Sequence, residues 1–147
     1  MNKKFDVEDI GGYEWIYSDK VQEHFFNPKN VMKRTPKKGA YDGYGEVGSP
    51  ACGDLMKVWI KVDKKTQKIS DFKWKTFGCA SAIATTSILS EMVIGMKLDR
   101  AFKITAADIV KKLGGLPKRK IHCSVLGDQA LRLAIEDYRK ANEVTPE

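Results

Sequence analysis

The chain has 147 residues, the length of one domain, and 42% of them are hydrophobic, enough for one ordinary buried core. No run approaches the roughly 18 consecutive apolar residues of a membrane-spanning helix. The net charge of +7 comes mainly from lysines that alternate along strand-like segments (Lys57, Lys61, Lys73, Lys75) or fill turns (Lys64, Lys65, Lys68). That is the pattern of a solvated sheet face, and no basic stripe with aromatic platforms marks a nucleic-acid interface. The segment Met1 to Asp9 has acidic residues and no apolar stretch, which argues against a secretory signal or transit peptide and for a reducing cytoplasm.

In chain order, residues 1–16 show no periodicity and read as a peripheral arm. A short helix is expected over about 17–26, with Ser18 as its cap and Val21 and Phe25 one turn apart. Asn27-Pro28-Lys29-Asn30 ends it, because proline disfavours helical geometry in the residue before it. Residues 33–45, with Pro36, Gly39, Gly43 and Gly45, read as a loop, and a short strand follows near 44–49. Two period-two strands come next. Over 55–62, Met56, Val58, Ile60 and Val62 oppose Lys57, Trp59 and Lys61; over 69–77, Phe72, Trp74 and Thr76 oppose Asp71, Lys73 and Lys75. The short polar link Asp63 to Lys68 makes them an antiparallel hairpin.

From Ala80 the period becomes helical. Residues 80–94 place Ile83, Ala84, Ser87, Ile88 and Met92 near one face, with Gly95 as a C-cap. Thr105 and Asp108 have the spacing of a capping box, for a helix ending near Gly114-Gly115. Ser124 would cap a last amphipathic helix with Leu126, Ala130, Leu131, Ala134, Ile135 and Tyr138 inward. Strands before helices predict an α+β fold, a small antiparallel sheet of about three strands packed against several helices. One domain is expected over 17–141, with 142–147 as a tail.

The three cysteines carry the chemistry. An odd number of widely spaced thiols is not a disulfide framework. Cys52 sits in Pro50-Ala51-Cys52-Gly53-Asp54, where Gly53 permits a sharp turn and Asp54 can bring a carboxylate near the thiol. The same turn would also arise if Asp54 only bonded backbone amides. Cys79 falls where a strand gives way to a helix, and the unpaired amides and positive helix end there favour a thiolate. The hydroxyls of Ser81, Thr85, Thr86 and Ser87 behind it also suit close helix packing. Cys123 follows His122 and Lys120, and the basic run Lys118-Arg119-Lys120 could steer an anion or dock an acidic partner. Three thiolates with Asp54 or His122 as a fourth ligand suit zinc or an iron–sulfur cluster. A Cys–His hydrolase fits poorly, because adjacent side chains point apart, and the paired spacing of classical zinc fingers is missing.

These segments closely resemble the U-type iron–sulfur cluster scaffold family, IscU and the N-terminal domain of NifU. The likeness covers about residues 17–141. It rests on Pro50-Ala51-Cys52-Gly53-Asp54-Leu55-Met56, Phe77-Gly78-Cys79-Ala80-Ser81-Ala82-Ile83-Ala84 and Lys120-Ile121-His122-Cys123-Ser124, preceded by Tyr17-Ser18-Asp19-Lys20-Val21 and Asn27-Pro28-Lys29-Asn30. The resemblance implies that Cys52, Cys79 and Cys123 are cluster ligands, His122 and Asp54 auxiliary ligands, and Lys120 a supporting cation. It implies assembly of a transient 2Fe–2S cluster from iron and persulfide sulfur, with zinc at the same site in isolated protein. Its expected partners are a cysteine desulfurase, apo iron–sulfur acceptors and an iron donor, with the chain a monomer or weak homo-oligomer and no enzyme.

Three departures qualify it. Ala80 stands where the family has glycine. Leu116-Pro117-Lys118-Arg119-Lys120 stands where it has Leu-Pro-Pro-Val-Lys, which puts recognition by an Hsp70-type chaperone in doubt. His122 is present and no insertion separates Cys79 from Cys123, unlike the SufU branch, and the further domains of full NifU have no counterpart here. Two other readings remain: a zinc-dependent persulfide acceptor that builds no cluster, and a zinc-stabilised binding module. Cys123, beside His122 and the basic run, is the expected sulfur acceptor.

Overall fold

A computed structural model describes residues 19–49, 54–78, 80–114 and 121–142, with the backbone alone for Ser49, Asp54, Ala80 and residues 121–125. The expected Ser18 cap, the arm 1–16, residues 143–147 of the tail and the segment Leu116 to Lys120 lie outside the described residues.

The elements run α1 (Asp19–Phe26), β1 (Gly43–Ser49), β2 (Asp54–Asp63), β3 (Lys68–Phe77), α2 (Ala80–Val93), α3 (Leu98–Phe102), α4 (Ala106–Leu113) and α5 (Ile121–Asn142). The strands form an antiparallel sheet in the order β1-β2-β3, which is the α+β architecture the pattern predicts. Met56, Val58, Ile60 and Val62 of β2 and Phe72 and Trp74 of β3 are buried on one face. A register shift pairs Lys61 with Asp71 but Val62 with Ile69, skipping Ser70. That bulge turns Ile69 inward too, where it is fully buried.

The helices lie on this inner face. Leu126, Ala130, Leu131, Ala134, Ile135 and Tyr138 of α5 are all buried, as their spacing predicts. Gly43 and Gly45 explain how closely α5 lies on β1. A Cβ on Gly43 would collide with the Ala134 carbonyl oxygen, and one on Gly45 with that of Ala130. These glycines are therefore strand residues that admit a helix backbone, and the expected loop over 33–45 ends at Asp42.

Four further expectations change. Trp59 points to the outer face yet is 8% exposed, its ring tilted against that of Tyr44 with centroids 5.3 Å apart, so that face is not uniformly solvated. Helix α2 has no single apolar face; nearly every side chain from Ser81 to Ser90 is buried, because α1, α5 and β3 surround it. Helix α3 was not foreseen, since five residues give too little periodicity. Finally, α5 begins at Ile121, so Ser124 is a helical residue and not its cap. No proline or glycine interrupts Ile121 to Ser124, and a nucleated helix extends through them.

The punctuation signals hold. Gly95 closes α2 with φ 93°, its N–H bonded to the Ile69 carbonyl at 2.8 Å. Thr105 and Asp108 form a full capping box on α4, and Gly114 ends that helix in the left-handed region.

Candidate functional site

The sheet register establishes which chain junctions share one end of the molecule. Ser49, the last residue of β1, pairs with Asp54, the first of β2. Leu55 pairs with Phe77, the last residue of β3. The β1–β2 connection and the β3–α2 junction therefore open at the same edge of the sheet.

Helix α5 brings its start to that edge. Ala134 lies over Gly43 and Ala130 over Gly45, so α5 runs antiparallel to β1 and its N-terminal turns lie toward Ser49. Gly127 rests on Thr86 and Leu89 of α2. Thr86 Oγ1 in turn lies 3.7 Å from Met56 Sδ, two residues into β2. The end of β1, the start of β2, the end of β3 and the first turn of α5 thus share one end of the molecule.

Each sequence-predicted ligand belongs to one of these junctions. Cys52, Gly53, Cys79 and Lys120 lie outside the described residues. Asp54 opens β2, and His122 and Cys123 stand in the first turn of α5; their backbone is described and their side chains are not. Cys123 therefore lies within the helix and not just ahead of it, where the expected Ser124 cap would have put it. At a helix start its backbone amides lack intrahelical partners, so the first turn favours negative charge.

Two ionisable groups that sequence reasoning passed over are built into the supports of this end. Asp128, in the second turn of α5, is 3% exposed. Its Oδ2 accepts from Arg132 Nη2 at 2.7 Å, and Oδ1 has no partner among the described residues. Burial pushes its carboxyl above the ordinary value, against the pull of the Arg132 guanidinium. Arg132 also donates through Nη1 to the Ile104 carbonyl at 2.8 Å, tying α5 to the α3–α4 link. The i,i+4 spacing of Asp128 and Arg132 on a helix was the available signal.

His24 is the second, 6% exposed on α1. Its Nδ1 lies 2.6 Å from Ser87 Oγ, which accepts the Lys29 N–H at 2.8 Å, and its Nε2 faces Glu91 at 3.3 Å. The arrangement suits a neutral imidazole that accepts from Ser87 and donates to Glu91. Burial holds its pKa below 6.5, only partly offset by Glu91. The Asn27 to Asn30 turn joins the same network: Trp74 Nε1 donates to the Lys29 carbonyl at 2.7 Å, and Asn30 Nδ2 to Ser90 Oγ at 2.9 Å. The hydroxyls of α2 thus fasten the first helix and its turn onto the helix that starts behind Cys79.

On the outer face of the converging edge, Phe77 is 60% exposed, with Lys75 Nζ 5.6 Å from its ring centroid. Leu55, paired with Phe77, is half-buried beside it.

The architecture is that of a small α+β domain in which the ends of β1 and β3 and the starts of β2 and α5 share one edge. The chain belongs to the NifU-like N terminal domain family, whose model matches residues 16–145. It is 52% identical over 127 residues to the iron–sulfur cluster assembly scaffold protein IscU 1 of Archaeoglobus fulgidus, covering 86% of this chain and 79% of that protein. It is 48% identical over 122 residues to IscU of Aquifex aeolicus, covering 83% and 75%. To the nitrogen fixation protein NifU of Nostoc it is 50% identical over 127 residues, covering 85% of this chain but 42% of NifU. The chain thus spans about two fifths of the NifU proteins it matches. A crystal structure of a NifU-like N-terminal protein from Brucella abortus superposes with a TM-score of 0.65 at 20% identity, over 92% of this chain and 99% of that one, and shares the fold. Among the described residues no helix is long and apolar enough to cross a membrane.

Proposed function

We propose that this chain is a scaffold on which a 2Fe–2S cluster is assembled from iron and desulfurase-derived sulfur and then passed to apo-proteins. The observation that carries this reading is the convergence of the β1–β2 connection, the β3–α2 junction and the start of α5 at one sheet end. Those junctions contain the three cysteines, together with Asp54 and His122. Relatives named as IscU scaffolds, about half identical over most of the chain, support the same role.

In this reading Cys52, Cys79 and Cys123 hold the cargo as thiolates, with His122 or Asp54 completing the set. Thiolates are soft donors that suit iron–sulfur cargo, while a carboxylate is a harder and weaker one. Lys120 and the basic residues before it stabilise the thiolate at Cys123, which attacks the desulfurase persulfide and takes its outer sulfur as a new persulfide. The desulfurase cysteine leaves as a thiolate. No substrate is turned over by the chain itself, so it acts as a carrier and not as an enzyme. The exposed Phe77 with Lys75 offers a partner an apolar and cationic contact beside the site.

Anaerobic incubation with ferrous iron, cysteine and a cysteine desulfurase tests this. A visible 2Fe–2S chromophore, transferred on addition of apo-ferredoxin and lost in Cys52→Ser, Cys79→Ser and Cys123→Ser, is the expected result. Persulfide without iron would instead identify a sulfur relay. Bound zinc with neither would leave a zinc-stabilised module. Persulfide retained in Cys123→Ser but lost in Cys52→Ser would move the acceptor role to Cys52.

A further inference from the structure

Helix α2 carries five buried hydroxyl residues, Ser81, Thr85, Thr86, Ser87 and Ser90. Four are satisfied. Thr85 Oγ1 donates to the Ser81 carbonyl at 2.6 Å, Thr86 Oγ1 to that of Ala82 at 2.8 Å, and Ser90 Oγ to that of Ser87 at 2.6 Å. Ser87 Oγ pairs with His24 Nδ1. Ser81 alone breaks the pattern. It is fully buried, and its Oγ has no hydrogen-bond partner among the described residues.

The reason lies in its position. Thr85, Thr86 and Ser90 reach back to a carbonyl three or four residues earlier on the same helix. α2 begins at Ala80, so no helical carbonyl stands behind Ser81. Burial meanwhile denies it bulk water. Buried hydroxyls without a partner are rare, and each one calls for a group that completes it.

Helical periodicity places Ser81 on a stripe with Thr85, Ile88 and Met92. The neighbouring stripes are already used: Thr86 and Leu89 meet Gly127 of α5, and Ser87 and Ser90 meet α1 and its turn. The orphan hydroxyl therefore sits at the start of α2, two residues beyond Cys79, at the end where the three junctions converge. In the scaffold reading above, the chemistry assembled there is sulfur.

We infer that Ser81 donates a hydrogen bond to sulfur at this end, either a cysteine thiolate that ligates the cargo or a sulfide within it. It is a positioning residue: it withdraws charge from sulfur and holds the cargo in the mouth of the junctions. Hydrogen bonds to sulfur are one of the means by which a protein sets cluster potential and persistence. The inference rests on the scaffold reading above, and it adds a fixed, neutral donor to a site otherwise described by its ligands.

The test uses the full chain as Ser81→Ala and as Ser81→Thr, which keeps the donor. Without cargo, Ser81→Ala should melt at the same temperature as wild type or higher, because it removes a buried group that has no partner. With cluster loaded anaerobically, it should lose its visible absorbance about fivefold faster than wild type, the worth of one net hydrogen bond. Its reduction potential should move to more negative values, and Ser81→Thr should restore both properties at least in part. A lowered melting temperature of the cargo-free Ser81→Ala protein would show that the hydroxyl already has a structural partner and would overturn the inference. Equal cluster lifetimes and potentials in Ser81→Ala and wild type would overturn it as well. If wild type itself takes up no cluster, the scaffold reading fails; if wild type loads and the variant matches it, only the role of Ser81 fails.

Discussion

Replacing Gly45 by alanine adds a single methyl group where β1 and α5 meet backbone to backbone. The new Cβ would fall on the Ala130 carbonyl oxygen and lie 2.7 Å from the Ala134 amide nitrogen. Neither atom can swing aside as a side chain would, so α5 must move off the sheet as a unit. That loosens the packing of Leu126, Leu131 and Ile135, all at most 3% exposed. Overpacking a tight core costs about 1–3 kcal/mol, occasionally more. Loss of glycine's freedom in the unfolded chain returns roughly 0.4–1 kcal/mol. With backbone atoms on the receiving side the net should fall near ~2 kcal/mol, a melting-point drop on the order of 4–8 °C for a chain of this size. Urea denaturation with Glu46→Ala as control reads it directly, since Glu46 is the next residue and faces outward; that control should stay within about 0.5 kcal/mol of wild type. The displacement also moves the first turn of α5, so metal or cluster uptake should fall in Gly45→Ala while Glu46→Ala keeps it. A Gly45→Ala protein as stable as wild type would refute the argument that the helix is seated on the glycines.

Other outcomes follow from the buried ionisable groups and from the candidate ligands. His24 has a lowered folded pKa, so the unfolded chain binds more protons below pH 6.5. Its contribution is intact above that value and is lost as pH falls from there through the lowered folded pKa; His24→Gln should flatten this part of a stability-versus-pH profile measured by urea unfolding. Arg132→Ala leaves Asp128 buried without its partner and should cost about 2–4 kcal/mol, whereas Arg132→Ala combined with Asp128→Asn should recover part of it in a double-mutant cycle. In the proposed scaffold reading Asp54 is a weak oxygen ligand and the labile one, so Asp54→Ala should leave the fold intact, slow the anaerobic decay of cluster absorbance and impair transfer to apo-ferredoxin. Faster decay in Asp54→Ala would instead assign Asp54 to bracing the Cys52 turn.

How much of the molecule its residues disclose on their own depends on how local the cause is. The alternation of Met56, Val58, Ile60 and Val62 and the Thr105–Asp108 box are determined within one element, and both appear as expected. Gly43 and Gly45 were misread as loop glycines because their reason lies in α5, some ninety residues on, and not in their neighbours. Trp59 was placed on the solvated side by parity, which is right for direction, but Tyr44 across the register covers it. The start of α5 was set too late because Ser124 is a good cap residue, and nothing local says that the helix has already begun. His24 and the hydroxyls of α2 form a network only when α1 folds across α2, so neither sequence segment announces it. The cysteine motifs were readable as chemistry, and the register adds that the elements bearing them end together.

The seating of α5 on β1 also bears on the order in which the protein can be made. The Tyr44 amide donates to Asp137 Oδ2 at 2.9 Å across 93 positions of sequence, whereas the β2–β3 hairpin closes over a short turn. Such distant pairings form late, because the intervening chain must first give up its freedom. On a ribosome the three strands emerge and can pair while α5 is still unsynthesised. The sheet edge where β1 ends and β2 begins is therefore completed only once α5 has followed the three strands out of the tunnel, and in the proposed reading a chain cut short before α5 has no finished place to hold iron or sulfur.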